Sequence, residues 1–305
     1  GEGPAPSAVE GLGPRLGRCM MIGRHGARAN VLAGILLLAA LPAAAQQRPL
    51  VTEDPETIGS GLVLVEGGFD YSTDVLYPAS GLQGNLLRLP AVGLSLGVSS
   101  IAEIQIDMGF YNRLRITERF SAPLSSMVDV DGDRTSDVED IVVATKVRLV
   151  GETAGRPAFG LRFATKLPTA SNESGLGLDT TDVHVTLLVG KTVQSLRVVG
   201  NVGLGILADP TRGDRQNDVL LYGVSVARAF AQGAEFVGEI NGRAHTAAYD
   251  PAPGTETRAV MRLGARYTVG AGRVDGGVIV GMTSRDPSFG ATVGFTYVFN
   301  AFRVP

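Results

Sequence analysis

Acidic side chains recur at even spacings inside otherwise apolar, glycine-rich stretches of this sequence. Glu66 and Asp70 are four residues apart, and so are Glu103 and Asp107. In an extended chain, residues at even spacings point to the same face. Each pair therefore predicts two carboxylates on one side of a strand. A wall of one charge opposite a wall of the other charge is a device by which pores select solutes.

Basic residues follow the same spacing and are more numerous. Arg258, Arg262 and Arg266 repeat every four residues in one stretch. The charged residues predicted to face a common interior are Glu66, Asp70, Glu103, Asp107, Lys146, Arg148, Arg162, Lys166, Arg243, Arg258, Arg262, Arg266 and Arg273. They would line a permeable pore, or pair with one another across a narrow interior and block it.

A run of aspartates in "DVDGDRTSDVED" has some of the oxygen ligands that calcium prefers. The candidate ligands are Asp129, Asp131, Asp133 and Asp137. The glycine, Gly132, comes two positions too early for an EF-hand, and Asp140 stands where that motif has a bidentate Glu. We interpret the run as a solvated loop, with a loose calcium site as the weaker alternative, and expect no cofactor.

Catalytic chemistry has little support in the sequence. His184 and His245 are the histidines that follow residue 45, and neither is adjacent to a Ser/Asp pair. Partners could still come from neighbouring strands. The prediction is therefore a protein without enzymatic activity, with a barrel hydrolase as the less favoured alternative.

The composition excludes several classes of protein. The 305 residues include 41 Gly, no Trp and one Cys, with 19% charged residues and a formal net charge of -3. Such a charge gives no reason to expect a nucleic-acid partner. Helix-length apolar runs, which a helical membrane protein needs, are almost absent.

The exception is "VLAGILLLAALPAAA" at residues 31–45, which follows Arg24 and Arg28 and ends in an A-x-A pattern. A basic start, a short apolar run and small residues before a cut describe a secretory signal peptide, rather than the alternative of a membrane-anchor helix. The predicted organisation is upstream residues plus signal peptide at 1–45, a periplasmic N-terminal segment at 46–60, and one domain at 61–305. Cys19 precedes the cut, so disulfides would not stabilise the exported protein.

Alternation of apolar and polar residues continues from residue 61 almost to the end. It predicts twelve strands, at 61–72, 84–98, 102–115, 137–150, 157–167, 180–191, 195–208, 218–229, 233–244, 256–269, 273–283 and 288–299. In the last strand, Phe295, Tyr297 and Phe299 share one face. The stretch "AEIQIDMGFYNRLRI" places Arg113 and Arg115 on the same face as Glu103.

Short connections such as "GAG" alternate with long polar ones such as "HTAAYDPAPGT". Outer-membrane barrels show this asymmetry, with short turns on the periplasmic side and long loops outside. Every predicted strand has an apolar face, and no segment of the sequence remains to cover these faces. Lipid can cover them if the sheet closes, because a closed sheet leaves no backbone edge unpaired. The prediction is an all-β, antiparallel up-and-down transmembrane barrel of about 12 strands with periplasmic termini. A secreted two-sheet sandwich is the alternative.

The central stretch carries a resemblance. "SDVEDIVVATKVRLV" and "FATKLPTASNESGLGLDTTD" contain the residues Asp140, Lys146, Arg148, Lys166, Pro168, Thr169, Gly175, Gly177, Thr181 and Asp182. This pattern resembles the outer-membrane transporter family named for the phenol meta-degradation pathway. Glu139 stands where that family has Gly, and Val147 where it has an aromatic residue. The match covers about residues 137–208, and it implies an outer-membrane barrel with a role in transport.

Together these observations predict a channel in the outer membrane of a Gram-negative bacterium, passing small solutes, hydrophobic or aromatic ones among them, through a charged lumen. The alternative is a closed structural or adhesion barrel that works through its extracellular loops. The expected partners are outer-membrane lipid, the barrel-assembly machinery and small-molecule solutes.

Overall fold

The computed structural model describes residues 48–303, and the predicted signal peptide lies outside this range. The described residues form fourteen β-strands and no helix, and thus no helix that could cross a bilayer. The strands are β1 (Leu62–Tyr77), β2 (Leu82–Gly97), β3 (Ala102–Gly109), β4 (Asn112–Arg119), β5 (Arg134–Asp137), β6 (Ile141–Val150), β7 (Ala158–Leu167), β8 (Asp182–Val193), β9 (Leu196–Asp209), β10 (Arg212–Ala231), β11 (Ala234–His245), β12 (Arg258–Val269), β13 (Gly272–Gly281) and β14 (Phe289–Asn300).

The sheet closes on itself. Each wall strand pairs antiparallel with its neighbours, and β1 pairs with both β2 and β14. The strands β3 and β4 succeed each other along β2, and β5 and β6 succeed each other beside them. If β3 and β4 are counted as one strand position, and β5 and β6 as another, the barrel has twelve strands. This closed barrel confirms the predicted fold class.

The interruption between β3 and β4 has a physical cause in β2. Pro90 has no backbone N–H to donate, so the ladder cannot continue past it. The chain opposite breaks at Phe110–Tyr111, where Phe110 donates to the Pro90 carbonyl. The break shifts the alternation by one residue. Arg113 and Arg115 consequently are exposed while Leu114 is buried, so the predicted placement of these two arginines beside Glu103 is wrong.

The outer face of the barrel is apolar. Along β14 the outward residues Val293, Phe295 and Tyr297 are 57%, 52% and 50% exposed, while Thr292 and Thr296 face inward and are buried. The same alternation of exposed apolar and covered polar side chains runs through β8, β9 and β11. A closed sheet leaves no bare backbone edge, so hydrocarbon can surround it.

One end of the barrel carries short turns and the other carries the longer loops. At the long-loop end a small apolar core forms from Leu82, Leu114 and Ile116, with Leu176 packed against it. Leu176 belongs to the β7–β8 loop, residues 168–181. This loop therefore covers the inner face of β2 and β4 above the interruption.

Candidate transport lumen

Residues 48–58, here called the lumen segment, run around the inside of the barrel wall before the chain enters β1. Side chains and backbone of this segment contact β13, β11, β9, β6 and β3 in turn. A periplasmic N-terminal segment was predicted at 46–60 from the sequence, without any prediction of where it lies relative to the barrel wall.

The segment begins with Arg48, which contacts three wall strands. Its guanidinium donates to Asp70 on β1 at 3.3 Å and to Thr292 on β14 at 2.8 Å. Its Nε lies 3.6 Å from Asp275 on β13. The acidic group predicted on β1 thus binds a cation from the protein's own chain.

The middle of the segment is held by a single carboxylate. Glu239 on β11 accepts hydrogen bonds from the backbone N–H groups of Val51, at 2.9 Å, and of Thr52, at 2.7 Å. The same carboxylate lies 2.9 Å from Nη1 of Arg262. Next to it, Leu50 packs against Ala227 and Val237 in a small apolar cluster. These contacts satisfy backbone groups that no β-ladder serves.

The second half of the segment is acidic and meets a basic wall. Glu53 lies 3.3 Å from Lys146 and 3.2 Å from Arg162, and Glu56 lies 2.5 Å from Arg148. Asp54 accepts two hydrogen bonds from Arg197, at 2.7 and 2.9 Å. Such bidentate pairs are among the stronger contacts between side chains. The ion pairs fix the acidic half of the segment against β6, β7 and β9.

The lumen segment divides the interior into chambers. A lower chamber of about 740 Å³ lies at the short-turn end, lined by Asp54, Glu56 and the turn residues Gln194 and Ala271. An upper chamber of about 580 Å³ lies towards the long loops, with a side pocket of about 350 Å³ that shares several of its lining residues. No lining residue is common to the lower chamber and the upper spaces.

All thirteen charged residues predicted to face the interior lie on that side. Those on the upper chamber and its side pocket are Glu66, Asp70, Asp107, Arg162, Arg243, Arg258 and Arg262; those on the lower chamber are Arg148, Arg266 and Arg273. Lys146 and Glu103 are buried against each other at 3.0 Å, and Lys166 lies 3.0 Å from both Asp140 and Asp182. Their role in solute passage stays a prediction.

Sequence reasoning missed Arg48, Glu53, Asp54, Glu56 and Glu239. The lead into β1 has no alternation, so its charges were not placed on any face. The available signal was weaker: three acidic residues lie close together in the lead, and the predicted inward face of the strands is rich in lysine and arginine.

The residues of the family motif fasten the β7–β8 loop. Asp140 accepts hydrogen bonds from the backbone of Thr169, at 3.1 Å, and of Ala170, at 3.0 Å. The Thr169 hydroxyl donates to the Glu139 carbonyl at 2.8 Å. Pro168 marks the end of β7. At Gly177 an added Cβ would lie 2.1 Å from the Ala170 carbonyl oxygen, so only glycine fits there.

Gly175 also belongs to this loop, with a φ of +76° that favours glycine. Its carbonyl accepts a hydrogen bond from Ser80 in the β1–β2 turn, at 2.7 Å. Asp182 in β8 accepts one from the backbone of Ala208 at 3.0 Å. The motif therefore joins the loop to β6, to the β1–β2 turn and to β9.

The aspartates proposed as calcium ligands are not assembled. Within residues 48–303, no group of three or more Asp, Glu, His or Cys side chains could hold a metal ion. Asp137 binds the backbone and hydroxyl of Ser171, at 2.8 and 3.1 Å, and Asp133 lies 3.7 Å from Arg134. The backbone N–H of Asp129 donates to the Glu173 carbonyl. Asp131 lies exposed in the same loop.

The two histidines lie apart. His184 lines the side pocket, and His245 contacts the Tyr249 carbonyl at 2.8 Å and its ring edge to face. In the described part of the chain neither histidine is hydrogen-bonded to a serine and an acid in the manner of a catalytic triad. The hydrolase alternative stays untested.

The carboxylate of Glu152, outside the membrane-spanning strands, has a lowered pKa. Glu152 lies in the β6–β7 turn. Partial burial opposes its ionisation, but hydrogen bonds from Thr192 and Lys191 outweigh burial and hold the pKa of Glu152 below its usual value. Its oxygens also contact Arg197, which binds Asp54 of the lumen segment. This turn thus supports the lower end of the segment.

Comparison with known proteins identifies the type of barrel. No protein-family model and no curated sequence matches this chain. Among solved structures, the COG4313 outer membrane channel from Pseudomonas putida F1 is similar, with a TM-score of 0.58, 13% identity, and coverage of 81% of this chain and 98% of that one.

The KdgM porin is also similar, with a TM-score of 0.47, 9% identity, and coverage of 77% of this chain and 99% of that one. The Ralstonia pickettii toluene transporter TbuX has a TM-score of 0.44 and 9% identity, with coverage of 80% of this chain and 90% of that one. At 13% identity, the likeness to the COG4313 channel shows the fold alone. The chain is a β-barrel of the bacterial outer membrane.

Proposed function

We propose that this barrel is a channel for small solutes and that the lumen segment controls their passage. The observation that carries the proposal is the division of the lumen into a lower chamber and upper spaces that share no lining residue. A solute that crosses the barrel must pass residues 48–58. Movement of this segment, or of its side chains, would therefore set the conductance.

The way the segment is attached supports control rather than permanent closure. It is joined to the wall mainly by ion pairs and hydrogen bonds, and its buried apolar residues are Pro49, Leu50 and Pro55. Apart from the buried contact of Glu53 with Lys146, these polar contacts can exchange with water, because a hydrogen bond to a charged group contributes only about 1.5–3 kcal/mol net. An apolar plug of the same length would be harder to displace.

A disulfide can test the proposal directly. A Cβ added to Gly223 on β10 would lie 2.9 Å from Oγ1 of Thr52, a separation suited to a sulfur–sulfur link. Cys19 is the sole native cysteine, so T52C/G223C would be the engineered pair in the exported chain. We expect this variant to show lowered conductance in planar bilayers when oxidised, and recovery on addition of reductant.

Deletion of residues 48–58 should have the opposite effect and raise the conductance. The single variants T52C and G223C control for the reductant, and the heat-dependent gel mobility of the barrel controls for folding. Equal conductance of the oxidised, reduced and deleted forms would contradict control by the segment. Absence of current from every folded form, the deletion included, would favour the closed barrel that works through its loops.

The finer parts of the proposal rest on the sequence. Membership of the phenol meta-degradation transporter family is proposed from the resemblance around residues 137–208. A hydrophobic or aromatic cargo is a separate proposal, which the name of that family does not establish. Insertion by the barrel-assembly machinery follows from the aromatic last strand, β14. Uptake of radiolabelled solutes by cells with and without this barrel would test the cargo, and an ester-hydrolysis assay on the purified barrel would test the enzymatic alternative.

A further inference from the structure

The three arginines of β12 face the lumen but differ in their partners. Arg262 lies 2.9 Å from Glu239, and Arg266 lies 2.6 Å from Glu235. Arg258, the uppermost, is opposite Arg243 of β11 in the ladder. Like charges directly opposite each other in a sheet are destabilising, so this pair costs the fold stability where its neighbours on β12 are neutralised.

Both guanidinium groups are held by uncharged acceptors. Arg243 donates to the backbone carbonyls of Gly254 and, at 3.0 Å, Glu256 in the β11–β12 loop. Arg258 donates to the Leu76 carbonyl at 3.3 Å, and its Nε is buried with no hydrogen-bond partner. Among the ion pairs of residues 48–303 none involves Arg243 or Arg258. Carbonyl dipoles hold these cations in place. The carboxylates of Glu256, Asp182 and Asp286 act on Arg243 only from beyond ion-pair distance.

The two arginines line the side pocket of about 350 Å³, which is within the size range of small-ligand sites. Leu221 and Val51 give this pocket an apolar patch, and Asn241, Thr186 and His184 add neutral or titratable polar groups. The carboxylate on its wall, Glu53, is already paired with Lys146 and Arg162. The pocket shares Arg258 and Asn241 with the upper chamber, so a solute from the long-loop end can reach it.

We propose that this pocket binds small organic anions, with a carboxylate placed between Arg243 and Arg258 and a compact apolar body against Leu221 and Val51. The proposal rests on the channel function and specifies its solute class. Planar guanidinium groups match the geometry of a carboxylate. A solute that neutralises the pair removes the like-charge repulsion, so the empty site is prepared for an anion.

Equilibrium binding tests this site without requiring any current. Isothermal titration calorimetry on the detergent-solubilised barrel would use three probes: sodium benzoate, sodium acetate and benzyl alcohol. We expect benzoate to bind best, acetate more weakly, and benzyl alcohol not measurably. The variant R243Q/R258Q should weaken benzoate binding by about tenfold or more, the effect of losing one charge-assisted hydrogen bond or more.

The matched control is R266Q, which removes a lumen arginine of the same strand in the lower chamber and should leave benzoate affinity unchanged. Folding of each variant is checked by its heat-dependent gel mobility. Unchanged benzoate affinity in folded R243Q/R258Q, no benzoate binding to the wild type, or benzyl alcohol binding as tightly as benzoate would each overturn the proposal. Because binding is measured without transport, failure of the channel function would appear separately, as normal binding without conductance.

Discussion

Lys146 is a fully enclosed charge, with its side chain 0% exposed between Glu53 and Glu103. Removal of one partner from a buried ion pair leaves the other charge uncompensated, which costs about 3–5 kcal/mol. Lys146→Met should therefore lower the free energy of unfolding by about that amount. Urea unfolding of the barrel in lipid vesicles measures it.

The control for this change is Lys191→Met, which removes a partly exposed lysine paired with Glu152 in the turn region. Exposed ion pairs contribute about 0–1 kcal/mol, so its effect should be small. Equal losses for the two variants would mean that Lys146 is not held by buried carboxylates.

The lowered pKa of Glu152 predicts a pH dependence. Because the pKa is lower in the folded barrel than in the unfolded chain, its contribution to stability is fully present above the ordinary Glu pKa of about 4.3. The contribution is lost as the pH falls through the lowered value. The thermal midpoint of the wild type should thus fall more steeply below pH 4.3 than that of Glu152→Gln. Identical pH profiles of the two proteins would refute the assignment.

At this scale the sequence predicted which side chains face inward, because even spacing along a strand determines the face. It did not predict their partners. Arg148 and Arg162 were predicted to line a pore or to pair with other wall residues across it, whereas they bind Glu56 and Glu53 of the lumen segment. The ion pairs of these arginines depend on the path of residues 48–58. That segment has no alternation of apolar and polar residues, so the sequence pattern did not predict its path.

Among the elements, each of the twelve predicted strands corresponds to one strand position of the barrel. Most predicted strand boundaries agree with the observed ones within a few residues. The main differences are the interruption opposite Pro90 and the longer β10, which begins at Arg212 rather than near residue 218. The interruption was readable in principle, since a proline inside a strand disrupts the ladder of its neighbour.

The β7–β8 loop is the element whose attachment is most easily tested. Asp140→Asn should weaken its attachment, because the carboxylate binds Lys166 as well as two backbone N–H groups of the loop. We expect faster cleavage within residues 168–181 by an external protease on intact cells. Asp129→Asn is the control, since its backbone rather than its side chain joins the loop. Equal cleavage rates of the two variants would contradict this role of Asp140.

For the whole molecule, the free energy of unfolding depends on the hydrocarbon that surrounds the apolar outer face. Val293 lies at mid-strand on that face and Phe299 near the end of β14. An arginine on the lipid face costs about 2–4 kcal/mol near the bilayer midplane and about 0–1 near the interface. Val293→Arg should therefore reduce the free energy of unfolding in vesicles far more than Phe299→Arg. Similar costs at the two depths would argue against a bilayer around this face.

Arg48 has a further consequence for how the protein acquires its shape. Its partners Asp70 and Thr292 belong to the first and last strands, on opposite sides of the seam where the ring is joined. Both contacts exist together only when β1 and β14 are paired. The docked position of Arg48 is therefore complete only in the closed ring, and a barrel whose first and last strands have not paired cannot hold it.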